Sequence, residues 1–533
     1  MSLPRGSLFS GKVKFGGLKA IMVRPDPRCV AAVALVFVTG VMLRLGLSSS
    51  PRCTITELSL GYNINYARIQ QDAEQVLASA PSWVDDPMWF RDPVPESPMN
   101  EPDFWRPVVA YYLSPWSHLQ QKVCHHIDSS PACSAAAILR ASDTPQKRIT
   151  NPLLDYACQR LHTEYQSFRA QVVNGTLFLS ECWSLPNWQP TIANTKMVIL
   201  EAIRQFGPHA FPPVDFTGNQ WDNDLVSIKG LNTSAIENDS IGLKWAPLPI
   251  FSPVQQPGKT VDVPFPDFSF MLGPNNEFKT PPWDYRRRMV AEIASRIPWE
   301  ARSSLAIWSG SVGKEGSQRQ ELKAVAEANP ELLFVNDFDV YISRVRAVRK
   351  CHVTMPGELT VGRGMGSSTN ACQMDFHDLC KFKYLVHIRG GVGGMTYSNR
   401  LKDLLLCGSV VLYVEYPWQE FFEPLLQPWV HYVPVPTVGD LPAVIRELKR
   451  NEREAKRIGR NGAEFAQGMG SRAVSAYVVE LFRQYAALQD FVPEGLPDAT
   501  AVRCPRDLYE HYHLPLEDYP MYPCMNEMPR LLE

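Results

Sequence analysis

Short apolar runs alternate with amphipathic stretches throughout the part of the chain that follows Pro298. The runs SSLAIWSG, ELLFV, KYLVHI and SVVLYV have the length and composition of buried strands. Between them, SQRQELKAVAEA and SNRLKDLLLCG have the pattern of helices. Alternation of strands and helices predicts a parallel sheet with crossover helices, that is, a Rossmann-like domain.

The pattern before Pro298 is less regular. NTKMVILEAIRQF predicts a helix, and it precedes the polar loop DFTGNQWDNDL and a long extended stretch punctuated by prolines. Residues 47 to about 110 are rich in Pro, Ser and Trp without sustained periodicity, which predicts an irregular stem. Two long helices, roughly 440–466 and 471–488, are predicted before a Pro-rich tail.

Residues 29–43, CVAAVALVFVTGVML, form an uncharged run with basic residues before it, which is typical of entry into the secretory pathway. The run is shorter than the ~20 residues of a transmembrane helix, so a cleaved signal peptide is one alternative and a buried core helix another. The long basic segment ahead of it favours an uncleaved anchor with a cytosolic N-terminus. The chain ends in RLLE rather than in a KDEL-like signal, so we expect retention to rest on the anchor, which favours the Golgi. Together with the anchor, this predicts a single-pass type II membrane protein of the Golgi or endoplasmic reticulum.

Composition and charge exclude several classes. The 45% hydrophobic content is ordinary for globular proteins, and a formal net charge of -2 does not indicate a nucleic-acid or polybasic membrane binder. Twelve cysteines suit an oxidising compartment. No zinc-type cysteine spacing is present, and the histidines, including His387, form no metal-ligand spacing. Sequons at Asn174, Asn232 and Asn238 agree with a lumenal location but add little alone.

The stretch KYLVHIRGGVGGMTYSNRLKDLLLCGSVV, residues 383–411, runs from an apolar strand into four glycines and then into a helix that carries Arg400. A glycine-rich backbone can approach a ligand closely and present N–H groups to an anion. A guanidinium in the first turn could share a diphosphate charge with those amides. The loop matches neither the ATPase nor the dinucleotide-binding pattern. The alternative is a tight turn with Arg400 in a surface ion pair.

A second strand, loop and helix unit has similar properties. AIWSGSVGKEGSQRQEL places Ser311 and three glycines ahead of a helix that bears Arg319. Two junctions suited to anions in one domain favour a nucleotide diphosphate. A flexible loop with a solvated arginine is the alternative.

The segment KFKYLVHIRGG, followed by TYSNRLKDLLLCGSVVLYVEYPWQEFFEPLLQPWVHYVPV, resembles the signature region of glycosyltransferase family 90. This family contains protein O-glucosyltransferases and fungal capsule-associated proteins. The similarity extends from about Tyr165 to Leu488 and is strongest over 380–435.

The resemblance implies an α/β, GT-B-like fold, in which two Rossmann-like domains face each other across a cleft. It also implies inverting transfer from a UDP-sugar, with no cofactor and no essential metal. The expected segments are a cytosolic tail (1–28), a signal-anchor (29–47), a stem (48–110), an acceptor-side domain (111–295), a nucleotide-sugar-binding domain (296–470) and a C-terminal helix with a tail (471–533). The expected partners are a UDP-sugar, a protein or glycan acceptor and, through the anchor, the membrane.

Site residues follow from the same resemblance, position by position. Arg400 matches the arginine that meets the donor diphosphate, and Ser311 and Arg319 match a donor-binding serine and arginine. The donor-contacting loop corresponds to Met395, Thr396, Tyr397, Ser398 and Asn399. Two departures bear on donor preference: Ser309 stands where the family motif has arginine, and the stretch from Ser311 to Arg319 is two residues longer.

The family's catalytic aspartate follows an asparagine by three residues at a strand end. The matching stretch here is Phe216-Thr-Gly-Asn219-Gln-Trp-Asp222, so Asp222 is the predicted general base. A loop carboxylate that caps a turn is the alternative role.

Two other functions fit parts of the same sequence. Asp222-Asn223-Asp224 and Asp337-Phe338-Asp339 are DxD patterns, which in other glycosyltransferases hold a divalent metal against the diphosphate. A DxD is a weak pattern in a chain of this length. The replacement at Ser309 motivates a different alternative, a lumenal binding protein that has lost catalysis.

The resemblance implies a disulfide between Cys380 and Cys407, which bracket the donor loop. Its role would be to hold strand against helix so that Arg400 stays aimed. Free thiols are the alternative. Further candidate pairs are Cys124 with Cys133 and Cys158 with Cys182, although spacing does not determine connectivity. Glu420, in an aromatic-rich segment typical of core packing, could reach a ribose hydroxyl.

Overall fold

The structure is a computed structural model. It describes residues 67, 68, 71, 72, 75, 96–117, 149–161, 167–183, 189–219, 248–257, 260–271, 282–313, 317–337, 351–354, 358–361, 372, 374–390, 396–496 and 498–514. Two β-sheets organise this part of the chain, and helices cover them in a mixed α/β fold.

The first sheet has six strands in the order β13-β2-β1-β3-β4-β5. They are β1 (Ser167–Val173), β2 (Thr176–Trp183), β3 (Val214–Asn219), β4 (Ile250–Ser252), β5 (Val263–Pro264) and β13 (Thr500–Val502). The pairs β3/β4 and β4/β5 are parallel, whereas β13/β2, β2/β1 and β1/β3 are antiparallel. Only part of this sheet therefore has the predicted Rossmann-like arrangement.

A two-residue turn accounts for the antiparallel pairing of β1 with β2. Asn174 and Gly175 join β1 to β2 with φ angles of 50° and 73°, which Asn and Gly tolerate best. A connection this short can only join antiparallel neighbours. The sequence NG between two apolar runs is the signal that predicts such a hairpin.

The second sheet has five strands, all parallel, in the order β12-β11-β10-β6-β7. They are β6 (Ser303–Gly310), β7 (Leu333–Asp337), β10 (Phe382–His387), β11 (Val410–Val414) and β12 (Val433–Val435). Every residue of β10 and β11 is buried, as expected for central strands covered on both faces. The parallel sheet predicted from the alternating pattern is confirmed. A separate hairpin pairs β8 (Cys351–Thr354) with β9 (Glu358–Val361).

Eleven α-helices lie in the described residues. They are α1 (Pro102–Ser117), α2 (Asn151–Leu161), α3 (Gln189–Phe206), α4 (Trp283–Arg296), α5 (Gln318–Ala328), α6 (Phe376–Leu379), α7 (Leu401–Leu406), α8 (Leu441–Arg450), α9 (Glu452–Gly468), α10 (Ser471–Ala487) and α11 (Pro505–His511). The two long helices predicted near the end of the chain are present, the first of them interrupted between α8 and α9.

The interval predicted as an irregular stem ends in a buried helix, because α1 begins at Pro102. The indole of Trp105 donates to the Met99 carbonyl at 2.8 Å, and the Tyr112 hydroxyl donates to the Glu420 carbonyl at 2.9 Å. Both side chains are fully buried. The sequence pattern concealed this helix because Pro107, which usually breaks helices, lies within it.

The C-terminal region returns to the first sheet. Helix α10 packs Phe482 and Tyr485 against Phe216 and Phe251 of that sheet. The Tyr477 hydroxyl donates to the Pro264 carbonyl of β5 at 2.6 Å, and β13 pairs with β2 at the edge of the sheet. The segment 471–533, predicted as a helix and a tail, therefore also contributes a strand.

No helix in the described part of the chain has the length and apolar character needed to cross a bilayer. The predicted cytosolic tail and signal-anchor, 1–28 and 29–47, lie outside the described residues.

The carboxyl ends of parallel strands from the two sheets meet. Gln255, beyond β4, exchanges backbone hydrogen bonds of 3.1 and 2.8 Å with Gln419, beyond β11. Asp267, beyond β5, accepts a hydrogen bond of 2.8 Å from the hydroxyl of Tyr397, beyond β10. The loops that leave these strands therefore face one another, and loops at this edge of parallel sheets are where ligands bind.

Candidate active site

The second sheet has a topological switch point between β6 and β10. The chain moves from β6 to β7 on one side and then returns to place β10 on the other side of β6. Loops that leave two such strands separate and open a crevice, which is the usual ligand site of an open parallel sheet. The two junctions predicted to suit anions, after β6 and after β10, are these two loops.

The junction after β10 closes on itself at Gly390. The Gly390 N–H donates to the Thr396 carbonyl at 2.7 Å, and the Thr396 N–H donates back at 3.2 Å. A Cβ at position 390 would lie 2.2 Å from the Tyr397 carbonyl oxygen, so only glycine fits here. The remaining glycines and Met395 lie outside the described residues.

Arg400 is the residue that immediately precedes helix α7. One Nη of its guanidinium donates to the Ser309 carbonyl at the end of β6, and the guanidinium lies 6.0 Å from the centre of the Phe376 ring. Among the described residues no carboxylate bonds this guanidinium. Arg400 is only partly exposed, and the alternative of a surface ion pair is not formed with any described residue.

Arg319 comes from the other junction and reaches the same place. Its Nη1 donates to the Ser311 carbonyl at 2.8 Å and its Nε donates to the Arg389 carbonyl at 3.2 Å. The guanidinium lies 5.5 Å from the centre of the Trp308 indole. Arg319 therefore bridges the ends of β6 and β10 across the crevice, rather than extending into solvent.

The two guanidiniums raise the local positive potential. Burial and the neighbouring positive charge of Arg400 lower the pKa of Arg319 to about 10. Burial, with further repulsion from Arg400 and Lys402, lowers the pKa of His387 to about 3, so His387 is neutral at physiological pH. Within the described part of the chain these two partly buried cations have carbonyl oxygens and no carboxylate as hydrogen-bond partners, an arrangement that suits an anion.

Asp337 supports the loop that contains Ser311. Its carboxylate accepts from the Val312 N–H at 3.1 Å and from the Lys323 ammonium at 3.1 Å. This residue begins the second DxD pattern, and both its oxygens are engaged by the protein. Phe338 and Asp339 lie outside the described residues, as does the first pattern, 222–224.

The Ser309 side chain has a structural role. It is buried, and its hydroxyl accepts a hydrogen bond of 2.8 Å from the Asn336 amide, which also donates to the Cys372 carbonyl at 2.8 Å. The position where the family motif has arginine therefore contributes only its backbone carbonyl to the crevice, through Arg400.

The described part of the predicted donor loop is partly turned inward. Thr396 and Tyr397 are buried, whereas Ser398 and Asn399 are partly exposed. The Tyr397 hydroxyl is bonded to Asp267, and the Asn399 carbonyl accepts from the Lys402 ammonium at 2.7 Å. Ser398 and Asn399 therefore have the more accessible side chains of the loop.

Buried charges lie directly beneath this loop. Arg286 of α4 forms an ion pair with Asp403 of α7, in which its Nη1 donates to both carboxylate oxygens, at 2.8 and 2.9 Å. The Lys402 ammonium, fully buried, lies 3.9 Å from Glu420 and 4.0 Å from Asp267. Sequence reasoning missed this cluster, although Lys402 and Asp403 in the leucine-rich run LKDLLL are charges in an apolar helix and could have flagged it.

Glu420 is part of the same buried cluster. Burial raises the pKa of its carboxyl well above the usual range, and the neighbouring Lys402 only partly opposes this. Its Oε2 has no hydrogen-bond partner among the residues that the structure describes. Glu423, bonded to the Tyr413 hydroxyl at 2.8 Å, has a pKa raised to about 7 by burial. The predicted ribose contact of Glu420 remains a prediction.

The predicted disulfide between Cys380 and Cys407 is present. It links Cys380, which directly follows α6 and lies two residues before β10, to Cys407, which directly follows α7, so it closes the unit that carries Arg400. A disulfide between Cys158 and Cys182 is also present, and one between Cys351 and Cys372 was not foreseen. Cys124 and Cys133 lie outside the described residues.

The predicted base lies just beyond a described strand. β3 ends at Asn219, whose amide donates to the Ser252 hydroxyl at 3.2 Å at the end of β4. This confirms that the Phe-x-x-Asn pattern marks a strand end. Asp222 itself lies outside the described residues.

One group of potential metal ligands occurs among the described residues, formed by Asp375, His377 and Asp378, whose ligand atoms lie within 4.8 Å of one another. Asp378 already accepts a hydrogen bond of 2.9 Å from the Lys381 ammonium. That positive charge competes directly with a cation, so we do not assign a metal to this group.

Comparison with known proteins agrees with this geometry. The profile of glycosyl transferase family 90 matches residues 149–512, which is more than half of the chain. The chain therefore belongs to glycosyl transferase family 90.

Relatives are similar over part of their length. Protein O-glucosyltransferase 1 of Rattus norvegicus is 30% identical over 230 residues, or 42% of this chain and 53% of the relative. Protein O-glucosyltransferase 1 of Homo sapiens is 28% identical over 252 residues, or 46% and 58%. O-glucosyltransferase rumi of Drosophila melanogaster is 29% identical over 219 residues, or 39% and 46%. The chain thus spans about half the length of the curated relatives it matches.

Among solved structures, Anabaena HepE in complex with UDP-glucose matches with a TM-score of 0.22 and 11% sequence identity. The match covers 37% of this chain and 51% of the other. This likeness is too slight to support an argument.

Proposed function

We propose that the protein is an inverting glycosyltransferase that moves a sugar from a UDP-sugar to a hydroxyl of a protein or glycan acceptor. The observation that carries this proposal is the convergence of Arg319 and Arg400 at the switch point of a parallel sheet, with backbone carbonyls but no described carboxylate as partners. Such a site suits the diphosphate of a nucleotide sugar.

In the proposed reaction Asp222 accepts the proton of the acceptor hydroxyl while its oxygen attacks C1 of the sugar. The bond between C1 and the phosphate oxygen breaks on the opposite face, and UDP departs with the electron pair. Negative charge grows on the diphosphate as this happens. Arg400 and Arg319 stabilise that charge more in the transition state than in the bound substrate, which lowers the barrier.

Glucose or xylose is the proposed sugar. The names of the relatives, O-glucosyltransferases, support glucose and a protein acceptor. Glucose and xylose differ by one hydroxymethyl group, which a pocket distinguishes by shape and by satisfied hydrogen bonds. The loop with Ser309 and Arg319 departs from the family motif, and we propose that this loop influences the choice.

We further propose that the catalytic region is lumenal, in the Golgi or endoplasmic reticulum, and that residues 29–47 anchor it in the membrane. The apolar run with basic residues before it supports the anchor. The three disulfides between described cysteines support an oxidising compartment. We also propose that no metal is required, since two arginines supply the charge that a metal would otherwise provide.

Release of UDP from candidate donors tests the proposal, with wild type compared with Asp222→Asn and with Asp224→Asn as the matched control. We expect Asp222→Asn to lower turnover by about 10²- to 10⁴-fold while UDP still binds, because only the proton acceptor is lost. Asp224→Asn should retain turnover within about threefold of wild type, and a chelator of divalent metals should have no effect.

A different outcome would favour one of two alternatives. The buried Ser309 in place of an arginine motivates a nucleotide-sugar-binding protein without catalysis, and UDP binding with no turnover on any donor would support it. Loss of turnover on metal removal, together with an equal loss in Asp222→Asn and Asp224→Asn, would instead support a metal-dependent DxD enzyme.

A further inference from the structure

The loop that leads to Arg400 rests on a turn from the other half of the molecule. This turn, residues 267–270, follows β5 of the first sheet and contains a 3₁₀ helix, Phe268–Phe270. The loop, residues 396–400, follows β10 of the second sheet. The Tyr397 hydroxyl donates to Oδ2 of Asp267 at 2.8 Å, and this contact joins residues 130 positions apart.

Asp267 is fixed within its own turn. Its Oδ1 accepts from the Ser269 N–H at 3.0 Å and from the Ser269 hydroxyl at 2.5 Å. The side chain is almost fully buried, and the Lys402 ammonium lies 4.0 Å from it. A buried carboxylate that loses one of its donors is strongly disfavoured, so Asp267 holds Tyr397 in place.

A second tie lies on the other side of Arg400. Arg286 donates to both oxygens of Asp403 and, through Nη2, to the Ser269 carbonyl at 2.7 Å. All of these groups are buried. Tyr397 precedes Arg400 by three residues and Asp403 follows it by three, so the same turn restrains the arginine from both directions.

We propose that Asp267 is a positioning residue of the donor site, which acts through Tyr397 to fix the loop that presents Arg400 to the diphosphate. Nucleotide affinity in the second sheet then depends on a carboxylate supplied by the first. The inference rests on the proposed function and adds a residue that neither touches the donor nor lies in the same half of the molecule.

Tyr397→Phe in the full chain tests this with the smallest possible change, because it removes only the hydroxyl. We expect UDP to bind about tenfold more weakly, since a hydrogen bond to a buried carboxylate is lost from the loop. The KM for the donor should rise by a similar factor, and kcat at saturating donor should also fall, because Arg400 interacts more strongly with the transition state than with the bound donor.

Tyr485→Phe is the matched control. Its hydroxyl is also buried and donates to the Pro249 carbonyl at 3.3 Å, far along the chain from the donor loop. It should lower the melting temperature about as much as Tyr397→Phe but leave UDP affinity unchanged. A purely structural role for Tyr397 would give the same pattern in both variants.

Asp267→Asn and the double variant complete the test. If Asp267 acts through Tyr397, the double variant should bind UDP no more weakly than Asp267→Asn alone. Unchanged UDP affinity in Tyr397→Phe, or losses that add in the double variant, would overturn the inference while the proposed function stands. Failure of the wild-type chain to bind UDP would overturn both. Should Asp267→Asn not fold, the result for Tyr397→Phe decides alone.

Discussion

The two junctions that meet at the switch point are built differently. The junction after β10 packs on three buried charged residues, Arg286, Asp403 and Lys402. The disulfide between Cys380 and Cys407 closes this junction. The junction after β6 has a lighter support, the Asp337 carboxylate on the Val312 N–H and the Trp308 ring beside Arg319. Arg400 is therefore held by a loop with buried ion pairs and a disulfide, whereas Arg319 is held largely by backbone carbonyls of the site itself.

The difference indicates that the two arginines contribute unequally to diphosphate binding. Within the described residues, Arg319 uses two of its three guanidinium nitrogens on backbone carbonyls, whereas Arg400 uses one. More of the Arg400 donors are left for a ligand, and its position is fixed from both sides. We therefore expect Arg400 to contribute more to diphosphate binding than Arg319.

Arg400→Met should have the largest effect among changes at the two junctions. We expect about a hundredfold loss of UDP affinity, because charge-assisted hydrogen bonds in a partly buried site disappear. Calorimetric titration of UDP measures this. Arg450→Met, a change to an exposed arginine on α8, is the control and should bind UDP as wild type does. Wild-type affinity for UDP in Arg400→Met would contradict the proposal that Arg400 contributes more to diphosphate binding than Arg319.

Arg319→Met should have a smaller effect, about a tenfold loss of UDP affinity in the same titration. The pKa of Arg319 is lowered partly by Arg400, so its removal also relieves a repulsion and offsets some of the loss. A loss larger than that of Arg400→Met would reverse the proposed ranking of the two junctions.

The local sequence pattern was sufficient to predict much of the region that forms the second sheet. Strands, crossover helices and both glycine-containing junctions could be located because each has a periodicity or composition within a few residues of sequence. The NG hairpin of the first sheet carries an equally local signal. The pairing of Cys380 with Cys407 came from the family resemblance and not from spacing.

The supporting contacts could not be predicted in this way. Arg286 and Asp403 are 117 residues apart, and Asp267 and Tyr397 are 130 residues apart, so no local pattern joins them. Helix α1 was missed for the opposite reason, since Pro107 gave a misleading local signal that packing of Trp105 and Tyr112 overrides. Both the long-range contacts and helix α1 depend on tertiary packing, which a local sequence pattern does not contain.

The central claim is that the crevice between β6 and β10 binds a nucleotide through its diphosphate. Titration of UDP, UMP and uridine into the full chain tests it most directly, because the three ligands share a base and sugar and differ in phosphate. We predict that UDP binds at least about tenfold more tightly than UMP and that uridine binds weakest of all. Uridine affinity equal to that of UDP, or no binding of UDP, would contradict the claim.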